Sequence, residues 1–137
     1  MSRLTSFLAP TTVARAHCDI PCGIYDPHEA EIAAQTVAKM VELINGLDGN
    51  DTATRNKFSR CVRVKEDHAE KVKREVQVIW SDYFKPEHLE AHPDLHDKVW
   101  KLLKLAGKNK QSVDAEAAAQ LQAAVKEFSE IFWSTKK

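Results

Sequence analysis

The chain's 137 residues fit one domain large enough to bury a real hydrophobic core, and 43% hydrophobic with 29% charged residues is the balance of a soluble globular protein. Lys+Arg and Asp+Glu both total 20, so neither a basic excess for nucleic acid nor an acidic tail is present. Three cysteines are too few for a disulfide scaffold, no apolar run approaches the ~20 residues of a spanning helix, and four glycines among many Ala, Lys, Glu and Leu point to helix.

The chain opens with MSRLTSFLAPTTVARA, residues 1–16, which carries Arg3 and Arg15 and no acid. Its ending, Ala14-Arg15-Ala16, resembles a signal-peptidase site, but LTSFLAPTTV is broken by polar residues and Pro10 and makes no solid apolar stretch. It reads as a short propeptide on a cytoplasmic protein. Its removal leaves 18 basic against 20 acidic residues, so attraction of an anion would have to come from a local patch. HCDIPCGIYDP follows, residues 17–27, with Cys18 and Cys22 enclosing Asp-Ile-Pro.

Asp26-Pro27-His28-Glu29 predicts a helix start, with Asp26 as cap, Pro27 at the first helical position and Glu29 completing a capping box. Ile32, Val37, Met40, Val41 and Ile44 make one apolar stripe, ended at Asn45-Gly46. A second helix fits from about Thr52 to Ser81, with Phe58, Val62, Ala69, Val72, Val76 and Ile79 inward and KEDHAEKVKRE as a solvated face. WSDYFKPEHLEAHP, interrupted by Pro86 and Pro93, reads as irregular. Leu95, Val99, Leu102, Leu103 and Ala106 form a third stripe, stopped by Gly107, and Ala118, Leu121, Val125, Phe128, Ile131 and Phe132 a fourth. Four amphipathic helices joined by short loops imply an all-α, antiparallel four-helix bundle over 26–137 behind an N-terminal hook at 17–25.

The bundle hosts many activities, so the chemistry is sought in the hook. Two thiolates and an imidazole suit Zn, Cu(I), Ni or iron, yet the local set is short of ligands for a closed zinc site. Cleavage after Ala16 would free the His17 α-amino group, whose ordinary pKa of about 8 allows a ligating amine near neutral pH. Amine, Cys18 amide nitrogen and two thiolates make a planar set of the kind that Ni(II) or Cu(II) prefers.

HCDIPCGIYDP, with WSDYFKP at 80–86 and IFWSTKK, resembles the nickel-containing superoxide dismutase family, over essentially all of residues 17–137. The resemblance implies dismutation of superoxide with Ni(II)/Ni(III) cycling, one ion per subunit, a homohexamer, and a dedicated peptidase that removes residues 1–16. It implies His17, Cys18 and Cys22 as metal ligands, with the His17 imidazole axial in the oxidised state. Tyr25 then screens the open face, Asp19 contributes its backbone N–H and Pro21 a cis peptide. Tyr83 and Lys85 stand behind the metal or steer superoxide. No nucleic acid or membrane partner is implied.

Two positions depart from the family's pattern. Ala33 and His68 stand where the best-studied members carry an acid and an arginine that hold the axial imidazole; Glu29, Glu31 and His68 are the candidate substitutes. Cys61 has no role in the pattern and is expected to be a buried helix residue. His88, His92 and His96 have zinc-like spacing, but Pro93 breaks the helix between them. Trp80, Trp100 and Trp133 are expected in the core or at a subunit interface. Two rival readings use the same hook: a nickel or copper carrier without turnover, and a helical module whose Cys18 and Cys22 form a disulfide.

Overall fold

The computed structural model describes residues 23–136, so His17, Cys18, Asp19, Pro21 and Cys22 and the 1–16 leader lie outside the described residues. The described chain forms α1 (His28–Asn45), α2 (Thr52–Val78) continued by a π-helical turn (Ile79–Tyr83), the short α3 (Pro86–Ala91), α4 (Leu95–Gln111) and α5 (Ala115–Thr135). No strand occurs among the described residues. α1 packs on α2 and α5, and α4 on α2 and α5, which closes the four long helices into an antiparallel bundle as the sequence implies.

The core is one cluster that includes Val37, Val41, Val72, Val76, Leu102, Leu121 and Phe132. The stripe of α5 is buried throughout, as its periodicity predicts. On α1 the inward line is Ala30, Ala33, Ala34, Val37, Val41 and Ile44, while Ile32 is 42% exposed. Small residues there let α1 lie close to its neighbours. On α2, Ala69, Val72 and Val76 are buried as expected, but Phe58 is 46% exposed. At about 1.5 Å per residue, the 27-residue α2 is longer than α5 by about 9 Å and than α4 by about 15 Å. Cys61 is buried on α2, as expected.

Three boundaries differ from expectation. α-Helical geometry ends at Val78 and widens into the π turn through Tyr83, which re-aims the aromatic side chains of WSDYF. Pro86 then opens α3 at its first position, with Lys85 extended before it (ψ 165). α4 runs through Gly107 to Gln111. A mid-helix glycine costs roughly 1 kcal/mol relative to alanine, which tertiary contacts offset. Here the buried Lys65 ammonium donates to the carbonyls of Asn109 and, at 2.9 Å, Lys110, capping the last turn of α4 from α2. No helix is long and apolar enough to cross a membrane among the described residues.

Candidate metal centre

The described chain begins one peptide bond after Cys22. Gly23 takes φ +73, a left-handed conformation that L side chains adopt at a cost. Ile24 is exposed, and Tyr25 turns inward against Tyr83, ring centroids 5.8 Å apart. The Asp26 carboxylate accepts from the His28 N–H at 2.8 Å, and the Pro27 carbonyl takes the N–H groups of Ala30 and Glu31. The hook thus feeds straight into the first turn of α1. Glu29 does not complete a capping box; its carboxylate pairs instead with Lys71 on α2.

Tyr83, delivered by the π turn, is the hub of the aromatic wall. Its ring lies 4.5 Å from Phe132, 5.2 Å from Phe84 and 5.5 Å, stacked, from His88. Its hydroxyl is 3.1 Å from Thr135 Oγ1, and Thr135 spends its one hydroxyl proton on the Phe132 carbonyl at 2.7 Å. Tyr83 is therefore the donor, and its phenolic proton is committed. The same reasoning applies to His92: Ser134 Oγ donates to the Ile131 carbonyl, so His92 Nε2–H donates to Ser134 at 3.1 Å. His88 Nδ1 accepts the Lys85 N–H at 3.1 Å, and His96 Nδ1 accepts from Trp80 Nε1 at 2.9 Å. The three histidines have three separate partners, and among the described residues no group of three or more His, Cys, Asp or Glu is placed to hold a metal.

These walls enclose a cleft of about 720 Å³ lined by Gly23, Tyr25, Tyr83, Lys85, His88 and His92, among others. Immediately after α5, the Lys136 ammonium donates to the Tyr25 carbonyl at 3.1 Å and the Gly23 carbonyl at 3.5 Å. It sits 5.0 Å from the Phe132 ring centroid, 5.8 Å from that of Tyr83 and 5.9 Å from that of Trp133.

Behind Tyr25 a second hollow is lined by Ile24, Tyr25, Glu29, Lys71, Glu75 and Ile79, among others. Ala33 is fully buried in the core, and His68 is half-buried with Nδ1 2.8 Å from its own helix's Val64 carbonyl. The Glu29–Lys71 pair stands one turn nearer the hook than Ala33 and His68. Its hydrogen bond and the lysine's charge hold the Glu29 carboxyl below the usual range. Glu31 faces His28 at 3.6 Å.

Of the residues expected from sequence, the fold brings Tyr25, Tyr83 and Lys85 to one cleft, and His17, Cys18, Asp19 and Cys22 fall outside the described residues. Sequence reasoning missed Lys136, Thr135 and the Glu29–Lys71 pairing. The signal for the first two was the aromatic-then-polar run IFWSTK, but which carbonyls it would reach across the chain is a tertiary fact.

The profile of the family described as nickel-containing superoxide dismutase matches residues 12–136. The chain is 40% identical over 134 residues to the "Superoxide dismutase [Ni]" of Streptomyces coelicolor, spanning 98% of both chains. It is 37% identical to the enzyme of the same name from Streptomyces seoulensis, again over 98% of each. A native crystal structure of nickel superoxide dismutase superposes with a TM-score of 0.78 at 40% identity, covering 88% of this chain and 100% of that one. A structure with nickel ligated as in the oxidised state gives 0.77 at 36% identity, covering 87% of this chain and 97% of that one. The chain belongs to the nickel-containing superoxide dismutase family.

Proposed function

We propose that the family's activity, dismutation of superoxide to dioxygen and hydrogen peroxide, is carried in this chain by one nickel ion per subunit held by His17, Cys18 and Cys22. The donor chemistry fits that ion. Two thiolates, the Cys18 amide nitrogen, the His17 amine and its imidazole would together supply the sulfur and nitrogen donors that suit nickel. The amine becomes a ligand only when residues 1–16 are removed, which assigns the leader to a maturation peptidase. Bound there, nickel supplies a one-electron Ni(II)/Ni(III) couple able to accept an electron from one superoxide and return one to the next.

The observation that carries the reading is the convergence of Tyr25, Tyr83 and Lys85 on the cleft into which the chain leads directly from Cys22. Tyr25, backed by Tyr83, forms the wall of the cleft nearest the point where the chain leads on from Cys22. Tyr83 serves as a wall, since its proton is held by Thr135. The exposed Lys85 ammonium, on a rim it shares with the carboxylates Asp82 and Glu87, is the cation we assign to drawing superoxide toward the cleft. Glu29, kept ionised by Lys71, is the carboxylate we assign to orienting the His17 imidazole in place of an acid at position 33. Asp19 contributes its backbone N–H and Pro21 the bend of the hook. The half-exposed Trp100, Trp133 and Phe58 support assembly into a homohexamer, and we read the protein as cytoplasmic.

The deciding experiment compares nickel content and superoxide decay in the chain cut before His17, the uncut chain and Cys22→Ser. Nickel near one equivalent with fast decay in the cut chain alone, and both lost in Cys22→Ser, is the expected result. Nickel bound without accelerated decay would favour a carrier, and a Cys18–Cys22 disulfide indifferent to nickel would overturn the metal site.

A further inference from the structure

We propose that Lys136 is a positioning residue for the hook, fixing the place where residues 17–22 join the bundle. Its consequence for activity rests on the nickel reading, but its geometry does not. The left-handed turn at Gly23 brings two carbonyls, those of Gly23 and Tyr25, onto one side of the chain. Both are taken by the single Lys136 ammonium. A charged donor on a carbonyl makes a stronger hydrogen bond than a neutral one. The ammonium is also confined from below by the rings of Phe132, Tyr83 and Trp133. Its backbone is anchored in turn, with the Lys136 N–H on the Trp133 carbonyl at 3.3 Å and the neighbouring Thr135 hydroxyl on that of Phe132. The far end of α5 therefore holds the carbonyls on both sides of Ile24, and through them the packing of the Tyr25 ring on Tyr83.

The test uses Lys136→Met, which keeps length and removes charge, beside Lys136→Arg, which keeps a charged donor able to reach two carbonyls. On the full, metal-free chain the Tyr25 ring-proton resonances, displaced by the Tyr83 ring 5.8 Å away, should shift toward free-tyrosine positions in Lys136→Met. The resonances of Leu121 and Val125 in the core of α5 should stay as they were, and Lys136→Arg should restore most of the Tyr25 displacement. In nickel-loaded, cut protein the methionine variant should retain its nickel, broaden the Ni(III) paramagnetic resonance and lower kcat, with the salt dependence of the rate unchanged. Unaltered Tyr25 resonances, with only the salt dependence of kcat/KM weakened, would make Lys136 a steering charge and overturn the proposal. The Tyr25 shift in a protein that takes up no nickel would uphold the clamp and sink the metal reading instead.

Discussion

Both ends of the bundle are closed by a lysine ammonium on two backbone carbonyls, and they differ in burial. At the far end Lys65 is 1% exposed and donates to Asn109 and Lys110, while the Asn109 amide donates to the Leu105 carbonyl at 3.0 Å and the Ala117 carbonyl at 2.9 Å. Asn109 Oδ1 is buried there without a hydrogen-bond partner. At the hook end Lys136 is exposed and rests on aromatic faces. Removing a buried donor strands carbonyls away from water, whereas at the surface water replaces it. The far-end lysine therefore holds the fold together, and the near-end one holds a geometry.

The largest break in that division should come from Phe132→Ala, set against Leu121→Ala. Both side chains are fully buried, and large-to-small changes at such sites cost about 2–5 kcal/mol. Phe132 is also the floor beneath Tyr83 and Lys136, so its loss should disturb the hook end as well. Chemical denaturation should show comparable losses for the two variants. Only Phe132→Ala should also lower activity per bound nickel; an equal fall in Leu121→Ala would mean that the two ends are not separable.

Next in size is Lys65→Met, which nearly keeps the volume but orphans the end of α4. The expected loss is about 2 kcal/mol at neutral pH, the usual penalty for buried acceptors left unpaired, offset in part by removing a buried charge. A pH signature accompanies it. Burial pushes the Lys65 pKa below the ordinary lysine value. Between that lowered value and the ordinary one the unfolded chain binds more protons than the folded chain, so Lys65 makes stability rise with pH across that alkaline window. Subtracting the Lys65→Met curve from the parent's should isolate this rise, and a flat difference would mean that Lys65 binds its proton equally well in the folded and unfolded chains. Nickel binding should be indifferent to the change.

The same contrast explains what the sequence made legible. Periodicity recovered the inward line of α5 and the end of α1 at Gly46, because those depend on spacing and local backbone preference. It misplaced Ile32 and Phe58, since a stripe does not say whether a neighbouring helix is there to cover it. Gly107 read as a stop because its compensation, Lys65, lies far away in the chain. The hook was legible as chemistry, in His17, Cys18 and Cys22, because ligand type and spacing are written locally. Its support was not: the π turn that aims Tyr83, the Glu29–Lys71 pair and the Lys136 clamp all depend on which elements meet.

The smallest effect, and the sharpest test of the division, belongs to Gly23→Ala. An added methyl would meet nothing within 4 Å, so no clash obscures the result, but φ +73 is strained for alanine. The left-handed penalty is roughly 1–2 kcal/mol in a rigid setting. At an exposed hinge the chain can relax instead, and relaxation would swing the Gly23 carbonyl away from Lys136. Stability measured by denaturation should then fall by less than about 1 kcal/mol, since little of the fold depends on that turn. The Ni(III) resonance and kcat should nevertheless move in the same direction as in Lys136→Met. In the double variant the two site effects should fall well short of additive, because both break one contact. Full additivity would mean that the left-handed turn and the lysine act on the centre separately, and that the convergence of the two carbonyls does not set the geometry of the hook.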